Sequence, residues 1–362
     1  ADGTTQVVTV TITGVNDAPT VANAISDQTI AEDSALSFQF APDVFADVDA
    51  GDSLTYTATL ADDSDLPSWL SFDADTRTFS GTPLNANVGA IDVKVTATDS
   101  GSAAVTDTFK VTVTNTNDVA TIAGVTTGAV TEEDAASLTA SGTLTISDVD
   151  TDEAVFVAQT DTDGGAGLGV FNLGTDGAWT YAADNTNATI QALGTGDTTT
   201  DTFTAVSADG TTQVVTVTIT GVNDAATIAG VTTGVVTEED AASLTASGTL
   251  TISDVDTDEA VFVAQTDTDG GAGLGVFNLG TDGAWTYAAD NTNATIQALG
   301  TGDTTTDTFT AVSADGTTQV VTVTITGVND APTVANAISD QTIAEDSALS
   351  FQFAPDVFAD VD

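Results

Sequence analysis

The stretch Thr212-Gln-Val-Val-Thr-Val-Thr-Ile-Thr-Gly-Val-Asn-Asp224 decides the fold. Val215, Val217 and Ile219 fall on one side of an extended chain, and Thr216, Thr218 and Thr220 on the other. That period of two belongs to a strand with one face buried and one face in water. The Gly and the Asn-Asp pair that follow stop it. Working outward, the same alternation runs through Leu138–Ser147, where Leu138, Ala140, Leu144 and Ile146 oppose Thr139, Ser141, Thr143 and Thr145. Thr/Val-rich runs parted by Asp-Gly, Asn and Gly turns recur along the whole chain, which predicts antiparallel strands throughout. The one helix-like piece is Asn187–Leu193, a single turn. Phe156, Phe171, Trp179, Tyr181 and Phe203 are core candidates, repeated at Phe262, Phe277, Trp285, Tyr287 and Phe309.

The punctuation is Asn-Asp, at Asn16-Asp17, Asn117-Asp118, Asn223-Asp224 and Asn329-Asp330. Each interval holds about a hundred residues and about seven strands, the size of one immunoglobulin-like sandwich with its own core. Residues 1–49 recur letter for letter as residues 314–362, and Thr121–Asp224 recurs as Thr227–Asp330 with a single change, Ala129 against Val235. The expectation is a window on a longer array of tandem β-sandwich domains set end to end. The expected divisions are 1–17, 18–118, 119–224, 225–330 and 331–362, the first and last being parts of domains. The junctions are short and acidic rather than long and Gly/Ser-rich, so neighbouring domains should touch.

The formal charge is −51, from 54 acids against three bases, Arg77, Lys94 and Lys110. Nothing in such a chain neutralises phosphate, which excludes nucleic acid and an anionic membrane surface as partners. No apolar run reaches the roughly 20 residues of a membrane span, so direct membrane insertion is not expected. Cys and His are both absent, which removes disulfides, thiolate or imidazole metal sites and nucleophile–base catalysis. The chain is read as a non-enzyme. Arg77 is expected to pair with Asp73 or Asp75 across a hairpin.

The acids are not scattered. With strands lettered A to G in Val119–Asp224, Glu132-Glu133-Asp134 lies in the A–B turn and Asn223-Asp224 at the end of G, both at the C-terminal pole. Asp148, Asp150 and Asp152 follow strand B, and Asp209 sits in the F–G turn, all at the opposite pole. Stacking domains end to end therefore brings Glu132, Glu133, Asp134, Asn223 and Asp224 against Asp254, Asp256, Asp258 and Asp315 of the next domain. By the same placement Asp17 meets Asp47, Asp49 and Asp99. Glu32, Asp33, Asn117 and Asp118 meet Asp148, Asp150, Asp152 and Asp209. Glu238, Glu239, Asn329 and Asp330 meet Asp360 and Asp362. Two carboxylates about 4 Å apart repel by about 4 kcal/mol at an effective dielectric near 20. Without Lys or Arg nearby, the ion that fits is Ca2+, which takes six to eight oxygen ligands in flexible geometry. The competing reading is a solvated acidic surface, which would spread the acids along outward strand positions that here are mostly Thr and Ser. The Asp161-Thr-Asp163-Gly-Gly loop suits a further Ca2+ or a plain turn, and Gly164–Gly169 opens no helix to cradle phosphate.

These features resemble known modules. Val119–Asp224 and its copy are similar to the VCBS repeat, in Gly142-Thr-Leu-Thr-Ile-Ser-Asp-Val-Asp150, Gly177-Ala-Trp-Thr-Tyr181, Ala188-Thr-Ile-Gln-Ala-Leu193 and Val217-Thr-Ile-Thr-Gly-Val-Asn-Asp224. Ala18–Asp118 resembles a dystroglycan-type cadherin-like module, in Ile30-Ala-Glu-Asp33, Phe45-Ala-Asp-Val-Asp49, Pro67-Ser-Trp-Leu-Ser-Phe-Asp73 and Thr76-Arg-Thr-Phe-Ser-Gly-Thr-Pro83. The resemblance implies cadherin-like, Ca2+-linked sandwiches in the repeat region of a giant bacterial adhesin of the RTX type, extracellular or at the cell surface. Its partners would be the neighbouring repeats, other copies side by side, or a glycan or cell-surface target reached through other domains. A self-assembling matrix filament and a glycan- or peptide-binding module are the alternatives.

Overall fold

The computed structural model describes residues 3–133, 135–239 and 241–362. Asp134, one of the acids expected at a pole, lies outside the described residues. The chain is all-β, in three successive sandwiches built from strands within residues 20–114, 121–220 and 227–326.

The first sandwich contains β1 (Thr20–Val21), β2 (Gln28–Ala31), β3 (Leu36–Gln39), β4 (Phe45–Ala46), β5 (Thr55–Leu60), β6 (Leu70–Asp73), β7 (Thr78–Gly81), β8 (Gly89–Thr98) and β9 (Ala104–Thr114). One sheet runs β2-β9-β8-β5, the facing sheet β3-β7-β6, and β1 pairs β4 at the edge. Between the sheets lies an aromatic core in which Phe72 and Phe79 pack with rings tilted by 31° and centroids 4.5 Å apart. Arg77 sits in the β6–β7 turn with φ of 60° and makes no ion pair among the described residues. The expected partner Asp73 instead accepts the N–H groups of Asp75 and Thr76, which closes the turn without Arg77. The ion pairs among the described residues are Lys94–Asp63 and Lys110–Asp92.

The second sandwich contains β10 (Thr121–Gly124), β11 (Thr127–Thr131), β12 (Ser137–Ser147), β13 (Gln159–Asp163), β14 (Gly169–Leu173), β15 (Ala178–Asp184), α1 (Ala188–Gln191), β16 (Thr198–Val206) and β17 (Thr212–Thr220). Its sheets are β10-β12-β15-β14-β13 and β11-β17-β16. The expected first strand is thus two. β10 pairs β12 in one sheet, then the chain crosses and β11 pairs β17 in parallel in the other. Gly124, at φ of 99°, makes the crossing, since a Cβ there would lie 2.5 Å from the Thr143 carbonyl oxygen. Val215, Val217 and Ile219 point inward and are fully buried, as their alternation requires. Trp179 is core, and its indole N–H donates to the Val125 carbonyl at 2.8 Å, so it offers no stacking face to a sugar. α1 is one turn, capped by Asn187, whose side chain accepts the Thr189 N–H. The third sandwich repeats this arrangement in β18 (Thr227–Gly230), β19 (Thr233–Thr237), β20 (Ser243–Ser253), β21 (Gln265–Asp269), β22 (Gly275–Leu279), β23 (Ala284–Asp290), α2 (Ala294–Gln297), β24 (Thr304–Val312) and β25 (Thr318–Thr326).

The flanks show what strand letters need in order to become strands. Residues 318–326 form β25 between β19 and β24, whereas the same letters at residues 5–13 are exposed and unpaired. Residues 5–13 form no strand, because no neighbouring strand pairs with them. Residues 331–362 likewise keep only β26 (Thr333–Val334) paired to β27 (Phe358–Ala359). There Phe353 is 49% exposed, whereas its counterpart Phe40 is 2% exposed under β5 and β6.

Candidate metal centres at the joints between sandwiches

The joint at Asn223-Asp224 is built by five short loops from two sandwiches. Glu132 and Glu133 leave β11, Glu133 in the left-handed region at φ of 64°. Glu132 is 1% exposed, accepting the Gln191 side-chain amide on Oε1 at 2.6 Å and the Val222 N–H on Oε2 at 3.2 Å. Asp224 donates its N–H to Asp256 Oδ2 at 2.8 Å, stitching one sandwich to the next. Asp254 Oδ1 accepts the Asp256 N–H, which folds the Asp-x-Asp turn back on itself. Asp315, from the β24–β25 turn, accepts the Ala226 N–H at 3.0 Å and the hydroxyls of Ser313 and Thr317. Asn223 donates its side-chain amide to the Asp224 carbonyl.

The joint at Asn117-Asp118 repeats the plan. Asp118 donates to Asp150 Oδ2 at 2.7 Å, Asp148 accepts the Asp150 N–H, and Asp209 accepts the Ala120 N–H. Asn117 donates its amide to the Asp118 carbonyl. Glu32 is 1% exposed and accepts the Thr116 N–H on Oε1. Asp33 stands close enough for its charge to act on Asp118. At Asn16-Asp17, Asp17 donates its N–H to Asp49 Oδ2, Asp47 accepts the Asp49 N–H, and Asp99 accepts the Asn16 amide. Asp47, Asp49 and Asp52 there bring one oxygen each within 4.8 Å of one another, the one such gathering of three among the described residues. At Asn329-Asp330, Asp330 donates to Asp362 Oδ2 at 2.8 Å, Asn329 donates to the Asp330 carbonyl, and Glu238 accepts the Val328 N–H. The charges of Glu239 and Asp360 act on Asp330. Asp152 and Asp258, expected in the clusters, are instead exposed at φ of 67° and face water.

The electrostatics separate two kinds of acid. Burial pushes the carboxyls of Asp118, Glu132, Glu153, Asp224, Glu238, Glu259 and Asp330 above their ordinary values, and neighbouring carboxylates push them further. For Asp224 those neighbours are Asp256, Glu133 and Asp254, so the repulsion crosses the joint. Asp209 is held low by the Ala120 N–H and the hydroxyls of Ser207 and Thr211. Asp315, although burial opposes it, is held low by the corresponding groups.

Among the described residues, nine carboxylate oxygens are buried without a hydrogen-bond partner: Glu32 Oε2, Asp47 Oδ2, Asp148 Oδ2, Glu153 Oε2, Asp224 Oδ2, Asp254 Oδ2, Asp256 Oδ1, Glu259 Oε2 and Asp330 Oδ2. Every one belongs to a joint. Buried carboxylate oxygens are ordinarily hydrogen-bonded or bound to a cation. The donor set is oxygen only, in short loops without a base, which fits a hard divalent cation such as Ca2+.

Sequence reasoning passed over Glu153 and Glu259. They follow the Asp-x-Asp-x-Asp run directly, and their burial was the missing signal. It passed over Asp52 and Asp197 as well; the charge of Asp197 acts on Glu259 from the preceding sandwich. Asp201, in the stretch Asp201-Thr-Phe-Thr204 that also resembles the VCBS repeat, was given no role in sequence, and it is fully buried. Asp201 accepts the N–H groups of Ala166, Leu168, Gly169 and Thr202 at 2.9–3.1 Å and the Tyr181 hydroxyl at 3.4 Å. The Gly164–Gly169 loop is thus a cradle for an anion, and the anion is the protein's own carboxylate. A Cβ at Gly164 would lie 2.0 Å from Asp201 Oδ2, which is why glycine stands there. Asp161 and Asp163, considered for a further Ca2+, lie exposed along β13.

Residues 18–114 match the family model described as "Putative Ig domain". No curated protein matches the chain. Among solved structures, the chain is similar to protocadherin gammaB7 domains EC3–6, at 14% identity over 88% of this chain and 76% of that one, TM-score 0.47. It is similar to mouse cadherin-23 EC22–24, at 15% identity over 86% of this chain and 99% of that one, TM-score 0.44. It is also similar to the I-band fragment I67–I69 of titin, at 10% identity over 86% and 99%, TM-score 0.34.

Proposed function

We propose that this chain is a structural extender, a run of immunoglobulin-like sandwiches whose joints are stiffened by Ca2+ in an extracellular bacterial adhesin or surface fibre. The observation that carries the reading is the set of buried, unpartnered carboxylate oxygens among the described residues, all at joints, in a chain of charge −51. Glu32, Asp118, Asp148 and Glu153 would hold the ion at one joint, and Glu132, Asp224, Asp254, Asp256 and Glu259 at the next. Asp209 and Asp315, held ionised by their hydrogen bonds, stand ready as anionic ligands. The ion supplies positive charge that turns mutual repulsion across the joint into attraction. The near-identity of the second and third sandwiches supports reach over recognition, since a binding face gains nothing from verbatim copying. Ca2+ sites of extracellular modules work at about 10⁻⁴–10⁻³ M. The joints would accordingly stay loose inside a cell and close outside it, with the domain divisions at the Asn-Asp pairs. Partners are the neighbouring repeats and, laterally, other copies.

The test is Ca2+ titration of the full chain by calorimetry, with small-angle scattering before and after EDTA. The expected result is saturable binding with a longer and narrower distribution of dimensions in Ca2+. Absence of heat and unchanged scattering would overturn the proposal.

A further inference from the structure

The second and third sandwiches carry the same receiving acids, so any difference between the joints they close comes from the sandwich before them. Asp150 and Asp256 are corresponding residues, each 3% exposed and each accepting an N–H from the linker on Oδ2. Their other oxygens differ. Asp150 Oδ1 accepts the Asn85 side-chain amide across the joint at 2.7 Å. Asp256 Oδ1 is buried with no partner.

The cause is the loop that each preceding sandwich offers. In the first, Asn85 opens a single 3-10 turn, Asn85–Asn87, between β7 and β8. Asn87 Oδ1 accepts the Leu84 N–H at 2.9 Å and fixes that turn, so the Asn85 amide is presented ready-made. In the second, the corresponding ground is held by α1 and the loop after it. There the Ala192 carbonyl accepts the N–H and hydroxyl of Thr257, a contact that does not reach Asp256.

We infer that Asn85 is a clasp that serves one oxygen of Asp150 in place of a cation, so the first-to-second joint closes at lower divalent-cation concentration than the second-to-third. This rests on the Ca2+ reading above and adds to it a built-in inequality between joints. An amide donor satisfies a buried carboxylate at any cation level, whereas an unserved oxygen depends on the ion.

The chain has no cysteine, so engineered pairs take dyes without background. Thr106, Thr180 and Thr286 are exposed on the three sandwiches and away from the joints. Full-length chains carrying Thr106→Cys with Thr180→Cys, or Thr180→Cys with Thr286→Cys, report each joint by single-molecule energy transfer during Ca2+ titration. The expected midpoint for the first joint is about tenfold lower in Ca2+ than for the second, the worth of one hydrogen bond to a charged group. Asn85→Ala should erase that gap. Circular dichroism of each variant confirms that the sandwiches remain folded. Equal midpoints in the parent chain, or a gap that survives Asn85→Ala, would overturn the inference. If Ca2+ narrows neither joint, the Ca2+ reading itself fails. The clasp is then still tested in EDTA, where Asn85→Ala must broaden the first joint alone.

Discussion

Asp201→Asn is the sharpest probe of how these sandwiches cohere. The carboxylate accepts five hydrogen bonds, two on Oδ1 from Ala166 and Thr202 and three on Oδ2 from Leu168, Gly169 and Tyr181. An amide keeps the shape but turns one oxygen into a donor. In its better orientation it faces the N–H groups of Ala166 and Thr202, leaving two donors without an acceptor. Each such loss costs about 1–3 kcal/mol, so the substitution costs about 4 kcal/mol. For a domain of about 100 residues, 1 kcal/mol moves the melting point by about 4–8 °C, giving a fall of about 15–30 °C. The chain carries its own control, because Asp307 in the third sandwich accepts the corresponding bonds. Differential scanning calorimetry of Asp201→Asn should therefore split the profile. One sandwich melts early while its near-twin stays in place, and Asp307→Asn gives the mirror-image result. A shift under about 5 °C would refute the assignment of Asp201 as the centre of the loop's stability.

Three further outcomes follow from the same geometry. Gly164→Ala drives a Cβ into Asp201 Oδ2, so it should destabilise the same sandwich, and combining it with Asp201→Asn should cost well under the sum of the two in denaturant titrations. At about 10 mM Ca2+, each site with Kd of about 10⁻⁴–10⁻³ M should add about 1.4–2.7 kcal/mol, read as a rise in Tm that EDTA reverses. In EDTA the raised joint acids favour the fold in their protonated form, a contribution complete below the unfolded value and lost as pH rises through the raised one. Tm should therefore climb as pH falls from 7 toward the window just above the ordinary 3.8 and 4.5 of these carboxyls. Asp209 and Asp315, held low, act in the opposite sense, and their contribution is lost as pH falls below 3.8. Saturating Ca2+ should reverse the slope above pH 5, because the cation binds the ionised acids.

The alternation in Thr212–Thr220 and Leu138–Ser147 carried the fold because period two leaves one face to bury, and β17 and β12 bury that face. The poles were legible for the same reason, since alternating strand direction fixes which turns share an end. Glu259 was not legible, because it lies against Gly194 and within reach of Asp197 of the preceding sandwich, a property of two domains, and Glu153 because its burial exists only once its loop has folded. Asp201 was hidden more deeply. In sequence it is one acid in a Thr-rich run, and its role depends on a loop more than thirty residues earlier closing over it. The flanks make the converse point. Identical letters form β25 in one setting and no strand in another, because a period-two pattern needs a partner strand to act on.

The parallel pairing of β11 with β17 has a mechanical consequence. These are strands near the entry and exit of the same sandwich, in register from Thr127 against Thr216 to Thr131 against Thr220. β2 with β9 and β19 with β25 repeat the arrangement. Tension on the two ends of a sandwich pulls such a pair along its length in opposite directions. The hydrogen bonds between the strands are then loaded together in shear and must fail as a group, whereas an antiparallel terminal hairpin would unzip one bond at a time. Each sandwich is wired so that load passes through a sheared pair made by its second strand and its last.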